Sequence, residues 1–113
     1  MKLWTALALL LGLFARMTQS EAADLENTLY LDLTGGRVVI ELRPDLAPNH
    51  VARIKELVRE GFYDGLVFHR VIAGFMAQTG DPKGNGTGGS GKRLKAEFSD
   101  EPHVRGTLSM ARA

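Results

Sequence analysis

Arg70, Met76 and Gln78 put a guanidinium, a thioether and a carboxamide close together in the chain, on either side of the small pair Ala73–Gly74. The runs flanking that break, Phe68-His69-Arg70-Val71-Ile72 and Phe75-Met76-Ala77-Gln78-Thr79, are β-prone. A tight loop centred on Ala73 would pair them as an antiparallel hairpin. Arg70 then lies opposite Met76, with Gln78 diagonal to it on the same face and His69 on the other. Such a face holds a permanent cation beside an apolar floor and an amide acceptor. The alternative is structural: Arg70 on the surface, His69 half-buried, Phe75 and Met76 in the core. The pattern by itself leaves both open.

Other chemistry finds less support. Gly86, Gly88 and Gly91 fit G-x-G-x-x-G, and Gly86 to Lys92 fits most of a P-loop. Both motifs need a following helix whose N-terminus holds the phosphate. Here Leu94 to Phe98 leads only to Ser99-Asp100-Glu101-Pro102, and Arg93 stands where the magnesium-binding hydroxyl belongs. A mobile surface loop is the better reading of Pro82 to Gly91. Ser90, Ser99 and Ser109 lack a histidine–acid pattern or a G-x-S-x-G elbow, and no carboxylate pair suited to hydrolysis stands out. There is no cysteine, hence no disulfide or thiolate site, and His50, His69 and His103 show no ligand spacing. We therefore expect no metal and no cofactor.

The elements that must position these residues can be read in order. Leu29, Leu31 and Leu33 alternate with Tyr30 and Asp32. After Thr34-Gly35-Gly36 the alternation resumes at Val38, Ile40 and Leu42, giving a hairpin over 27–42 with one buried side. Pro44 and Pro48 stop the strand, and Pro48 suits the first turn of a helix. Val51, Ile54, Leu57 and Val58 recur at helical spacing, with Arg53, Lys55, Glu56 and Arg59 as a solvated face and Gly61 just past the end. Phe62 to Gly65 turns the chain into the Arg70 stretch. Beyond the glycine loop, Leu94 to Pro102 is irregular with Phe98 as its anchor into the core, and Gly106 to Met110 resembles a strand.

The chain of 113 residues has room for one small domain, and 44% hydrophobic with 24% charged residues is ordinary for a folded soluble protein. Its N-terminus differs from the rest. Met1-Lys2 precedes the apolar run Leu3 to Ala15, which is shorter than the roughly 20 residues a bilayer span needs. Ser20-Glu21-Ala22 then supplies small residues where a signal peptidase reads. Residues 1–22 are thus expected to be a secretory signal peptide, with an uncleaved anchor as the alternative. Cleavage removes Lys2, Arg16 and Glu21, so 14 Lys+Arg against 13 Asp+Glu becomes 12 against 12. A neutral mature chain has no pull on nucleic acid or an anionic membrane.

Phe68-His69-Arg70-Val71-Ile72, Gly74-Phe75-Met76, Gln78, Gly80-Asp81, Asn85-Gly86-Thr87-Gly88-Gly89, Glu97-Phe98 and Leu108-Ser109-Met110-Ala111 together resemble the signature run of the cyclophilins, the peptidyl-prolyl cis-trans isomerases. The resemblance runs from about Thr28 to Ala113, and the Gly61–Gly65 connection and Arg112 resemble the bacterial branch. It implies a mainly β fold with α: an antiparallel barrel of eight strands capped by two helices, with the groove on its outer face. It implies that Arg70 is catalytic, that Phe75 and Met76 floor a proline pocket, and that Gln78 orients the arginine. His69 and Gly86 would line the site, and Ala111, Arg112 and Ala113 would bind the substrate backbone. Ala73 stands where many members have proline, and Arg112 where many have asparagine.

The implied activity fits the residues. Rotation about X–Pro faces a barrier of roughly 18–20 kcal/mol because the C–N bond is partly double. At the twisted transition state the prolyl nitrogen is pyramidal, with a free lone pair. A guanidinium donating there stabilises only that state, and each ~1.4 kcal/mol is tenfold in rate. Partners would be proline-containing peptides and unfolded client proteins, in the periplasm or outside the cell, with the protein a monomer. The family's later strands, second helix and remaining pocket walls have no counterpart up to Ala113. Residues 23–113 are therefore expected to be the N-terminal part of such a domain, truncated, and of low stability and activity alone. A peptide-binding, chaperone-like module without turnover is the alternative.

Overall fold

The computed structural model describes residues 25–112, so the apolar N-terminal run with its expected cleavage point, and Ala113, lie outside it. The chain divides into two compact units at Leu42/Arg43. In the first, β1 (Thr28–Leu33) and β2 (Gly36–Glu41) form a two-stranded antiparallel sheet. Leu29 pairs with Ile40 and Leu31 with Val38, so the apolar positions share one face, as the alternation implies. The expected burial of that face is corrected: no residue of either strand is buried, and Leu33 and Val38 are 41% and 44% exposed, because a lone two-stranded sheet covers neither of its faces. On the other face Arg37 lies opposite Asp32, bonded to it at 2.7 and 3.2 Å, and stacks 4.3 Å from the Tyr30 ring centroid.

The second unit carries one helix, α1 (Pro48–Arg59), and a second antiparallel pair, β3 (Arg70–Ile72) and β4 (Met76–Gln78). Val51 and Leu57 are its buried apolar side chains, at 8% and 4% exposure. The helix ends in a Schellman motif. Gly61, at φ +74°, donates its N–H to Val58 O at 3.1 Å, and Phe62 donates to Leu57 O at 3.0 Å. Its start is unusual, because Ala47 has no side chain able to cap and Pro48 no N–H to be capped. Glu97 caps it instead, from far along the chain. Its carboxylate accepts the N–H groups of Asn49 (3.2 Å) and His50 (2.8 Å) and the Asn49 amide nitrogen (3.2 Å). Burial works against the Glu97 charge, but these donors and the His50 ring outweigh it and hold its pKa below the ordinary value.

Three expectations are corrected. Arg53 is not on a solvated face: its side chain is only 13% exposed, and it donates to Glu56 Oε1 (2.7 Å) and to Ser90 O (3.2 Å). Its long stem lets it lie along the protein and still reach two acceptors. Phe98 does not anchor the segment after the loop. It is 78% exposed with the Arg112 guanidinium 5.1 Å from its ring centroid, and the neighbouring Glu97 does the docking. Gly106–Met110 is not a strand, since no described segment supplies the partner whose N–H and C=O groups a ladder requires. Among the described residues the strands are antiparallel and form two open pairs rather than a closed barrel.

Candidate active site

Residues 72–75 form the turn on which the site depends. Phe75 donates its N–H to Ile72 O at 3.0 Å, and Gly74 sits third in the turn at φ +73°. Ala73 keeps a negative φ, which makes this the type II geometry that requires glycine at that place. The hairpin therefore reverses about Gly74 and not about Ala73. Arg70 pairs with Gln78, Val71 with Ala77 and Ile72 with Met76. The expected pairing of Arg70 with Met76 is thus corrected: Gln78 is directly opposite and Met76 diagonal. The displacement is by two residues, which preserves the side-chain alternation. Arg70, Ile72, Met76 and Gln78 still share one face.

On that face Met76 and Gln78 are half-buried, Ile72 is 39% exposed and Arg70 is exposed. The Arg70 guanidinium makes no hydrogen bond or ion pair with any described residue, Gln78 included. Directly opposed β-carbons lie about 4.5–5.5 Å apart, so the Gln78 carboxamide is within reach of it. The apolar floor beside the arginine consists of Met76 and Ile72. Phe75 occupies the last position of the turn and is 75% exposed.

His69, half-buried, leads into Arg70, and Gly86 lies against its ring: a β-carbon built on Gly86 would fall 3.7 Å from Cδ2 and Nε2. These two expected site residues are therefore brought together. Ala111 and Arg112 are exposed, and no described hydrogen bond or ion pair joins them to the hairpin.

Asp81 and the loop it organises were missed by motif reading. Only 5% exposed, Asp81 accepts the N–H of Lys83 on Oδ1 (2.8 Å) and those of Asn85 (3.2 Å) and Gly86 (2.6 Å) on Oδ2. Burial opposes ionisation, yet the backbone N–H groups of Lys83, Gly88, Asn85 and Gly86 prevail and bring the Asp81 pKa from 3.8 down to about 2. A signal for this was present in an aspartate that opens a Pro/Gly-rich stretch, since aspartate bonds backbone groups just downstream. The arrangement also weighs against a phosphate site, because the amides that would cradle an anion already hold one. Among the described residues no three metal-ligating side chains cluster.

The family model described as "Cyclophilin type peptidyl-prolyl cis-trans isomerase/CLD" matches residues 28–113. A probable peptidyl-prolyl cis-trans isomerase of Brucella suis is 61% identical over 106 residues, covering 83% of this chain and 54% of the relative. Peptidyl-prolyl cis-trans isomerase B of Bacillus subtilis is 52% identical over 81 residues, covering 70% of this chain and 57% of its own. A peptidyl-prolyl cis-trans isomerase of Synechococcus elongatus is 51% identical over 83 residues, covering 74% and 57%. The chain spans about half the length of these relatives. With the family model matched along most of its length, the chain belongs to the cyclophilin-type peptidyl-prolyl cis-trans isomerases.

Proposed function

We propose that the protein accelerates cis/trans isomerisation of X–Pro bonds, with Arg70 as the catalytic group. The observation that carries this reading is the Arg70 face. It presents a guanidinium with no partner among the described residues, beside a half-buried thioether and amide. A committed ion pair would have to be broken before substrate could use the cation. Here the donor is available, and the prolyl nitrogen accepts from it only after the amide twists and its lone pair is released. Met76 gives the prolyl ring an apolar surface, and Gln78, opposite Arg70, orients the guanidinium. His69 and Gly86 flank the substrate, Phe75 contributes to the proline pocket, and Ala111–Ala113 hold the peptide backbone. No cofactor enters, because the reaction makes and breaks no covalent bond.

The substrates in this reading are proline-containing peptides and unfolded protein clients, met by a monomer in the periplasm or outside the cell after removal of residues 1–22. Relatives named as isomerases and the apolar run before Ala15 support these assignments. Exchange NMR or a protease-coupled assay on a proline peptide tests the activity. Turnover should require Arg70, and a protein that binds the peptide without accelerating its isomerisation would refute it. Fractionation of cells producing the tagged protein tests the location; retention in the cytoplasm would overturn it.

A further inference from the structure

The loop after Asp81 packs alongside the segment that delivers Arg70. A β-carbon on Gly84 would stand 3.4 Å from Val67 Cγ2, and one on Gly86 would stand 3.7 Å from the His69 ring. Thr79 Oγ1 donates to Val67 O at 2.8 Å, tying the same segment to the residue that follows β4. What keeps the loop there is one carboxylate. Its oxygens accept from Lys83, Asn85 and Gly86, and the backbone comes so near at Gly88 that a β-carbon there would overlap Asp81 Oδ1. Asn85 tightens the winding by accepting from Thr87 N at 3.0 Å and Thr87 Oγ1 at 2.6 Å.

We propose that Asp81 is a positioning residue of the isomerase site. By winding the Pro82–Gly89 backbone around its carboxylate it holds Gly86 against the ring of His69, the residue that precedes Arg70, and so fixes the Gly86 loop as one wall at the edge of the substrate groove. This rests on the isomerase reading and adds the residue that shapes a wall to it. The wall contacts substrate alike before and during rotation, so its loss weakens binding rather than the chemical step. Asp81→Asn is the direct perturbation. Its amide must turn an N–H₂ group toward either the Lys83 N–H or the pair from Asn85 and Gly86, where only an acceptor fits. Gly88→Ala reaches the same contact from the other side and leaves the carboxylate in place.

The experiment measures kcat and KM for a proline peptide on the intact wild type and both variants, with NMR contacts as a second readout. In wild type a contact between Gly86 Hα and the His69 ring is expected. In each variant it should weaken, while the Arg70–Gln78 cross-strand contacts persist and KM rises on the order of fivefold with kcat little changed. A purely structural role would lower the active fraction and hence the apparent kcat, leaving KM alone. The inference is overturned if the Gly86–His69 contact survives Asp81→Asn, or if KM is unmoved when that contact is lost. Should Asp81→Asn also lose the Arg70–Gln78 contacts, Gly88→Ala decides by the same criteria. A wild type without turnover refutes the isomerase reading. The inference would fall with it, even with the Gly86–His69 contact intact, and failure of the variant criteria with wild-type turnover present refutes the inference alone.

Discussion

Under the proposed mechanism, replacing Arg70 with alanine should separate catalysis from stability. Its side chain is exposed and bonded to no described residue, so removal leaves no buried partner unsatisfied. Surface substitutions of that kind change stability by within about ±0.5 kcal/mol, and the melting temperature should hardly move. The kinetic consequence is of another size. In the proposed mechanism the guanidinium is a single donor to a nitrogen that accepts only in the transition state. Losing such a donor costs about 10²–10³ in rate, equivalent to ~2.7–4 kcal/mol. The loss should fall on kcat, with KM within about twofold, because the planar ground-state nitrogen offers the guanidinium nothing. Arg70→Lys keeps the charge but replaces a planar fork with a point donor on a flexible stem, and should fall between wild type and alanine. The assay is peptide isomerisation on intact protein, followed from both the cis and trans resonances, with a thermal melt of each variant. Turnover within about threefold of wild type in Arg70→Ala would refute the mechanism. A loss confined to KM would make Arg70 a binding residue, and a marked fall in melting temperature would make it structural.

Three further outcomes follow from the second unit. Leu57 is only 4% exposed, so Leu57→Ala should cost about 2–5 kcal/mol, checked by chemical denaturation. Gly61 closes α1 at φ +74°, and Gly61→Ala should cost about 1–2 kcal/mol and speed hydrogen exchange at the Phe62 amide. Acid should loosen the loop and the helix start. Asp81 and Glu97 have folded pKa values below their unfolded ones, so their stabilisation is complete above the unfolded values of 3.8 and 4.5 and is lost as pH falls through the folded values. Amide resonances of Lys83, Asn85 and Gly86 should titrate with a midpoint of about 2; a midpoint at the ordinary 3.8 would show that the loop does not wrap the carboxylate.

Local elements were legible because local chemistry dictates them. The leucine alternation of β1 and the Val51–Leu57 spacing of α1 each place apolar groups on one side, and the structure puts them there. Pro48 and Gly61 bracket the helix for backbone reasons that need no neighbour. What escaped was every interaction whose partner is distant in sequence. Nothing at Ala47–His50 announces that Glu97 will cap the helix, and nothing around Arg53 announces the Ser90 carbonyl. Charge on a helix usually faces solvent and aromatic rings usually face the core, yet the Arg53 side chain is 13% exposed and Phe98 78%. Both rules average over contexts that only the folded chain supplies.

The site shows the same division. Period-two alternation places Arg70, Met76 and Gln78 on one face whichever even displacement the hairpin adopts, so the face was legible. Which residue stands opposite the arginine depends on the turn, and there Gly74 rather than Ala73 takes the positive φ. The glycine loop is more instructive. A phosphate cradle and a wound carboxylate both need closely approaching backbone with its amides turned inward, so both call for the same glycines. What separates them is whether an acidic side chain stands at the start of the loop to fill the cradle. Asp81 does, and its carboxylate already receives the Asn85 and Gly86 amides that a phosphate would need. A second anion would meet a buried negative charge at that centre. Read that way, Asp81 is itself the argument against nucleotide binding, and it was available in the sequence beside the motif it refutes.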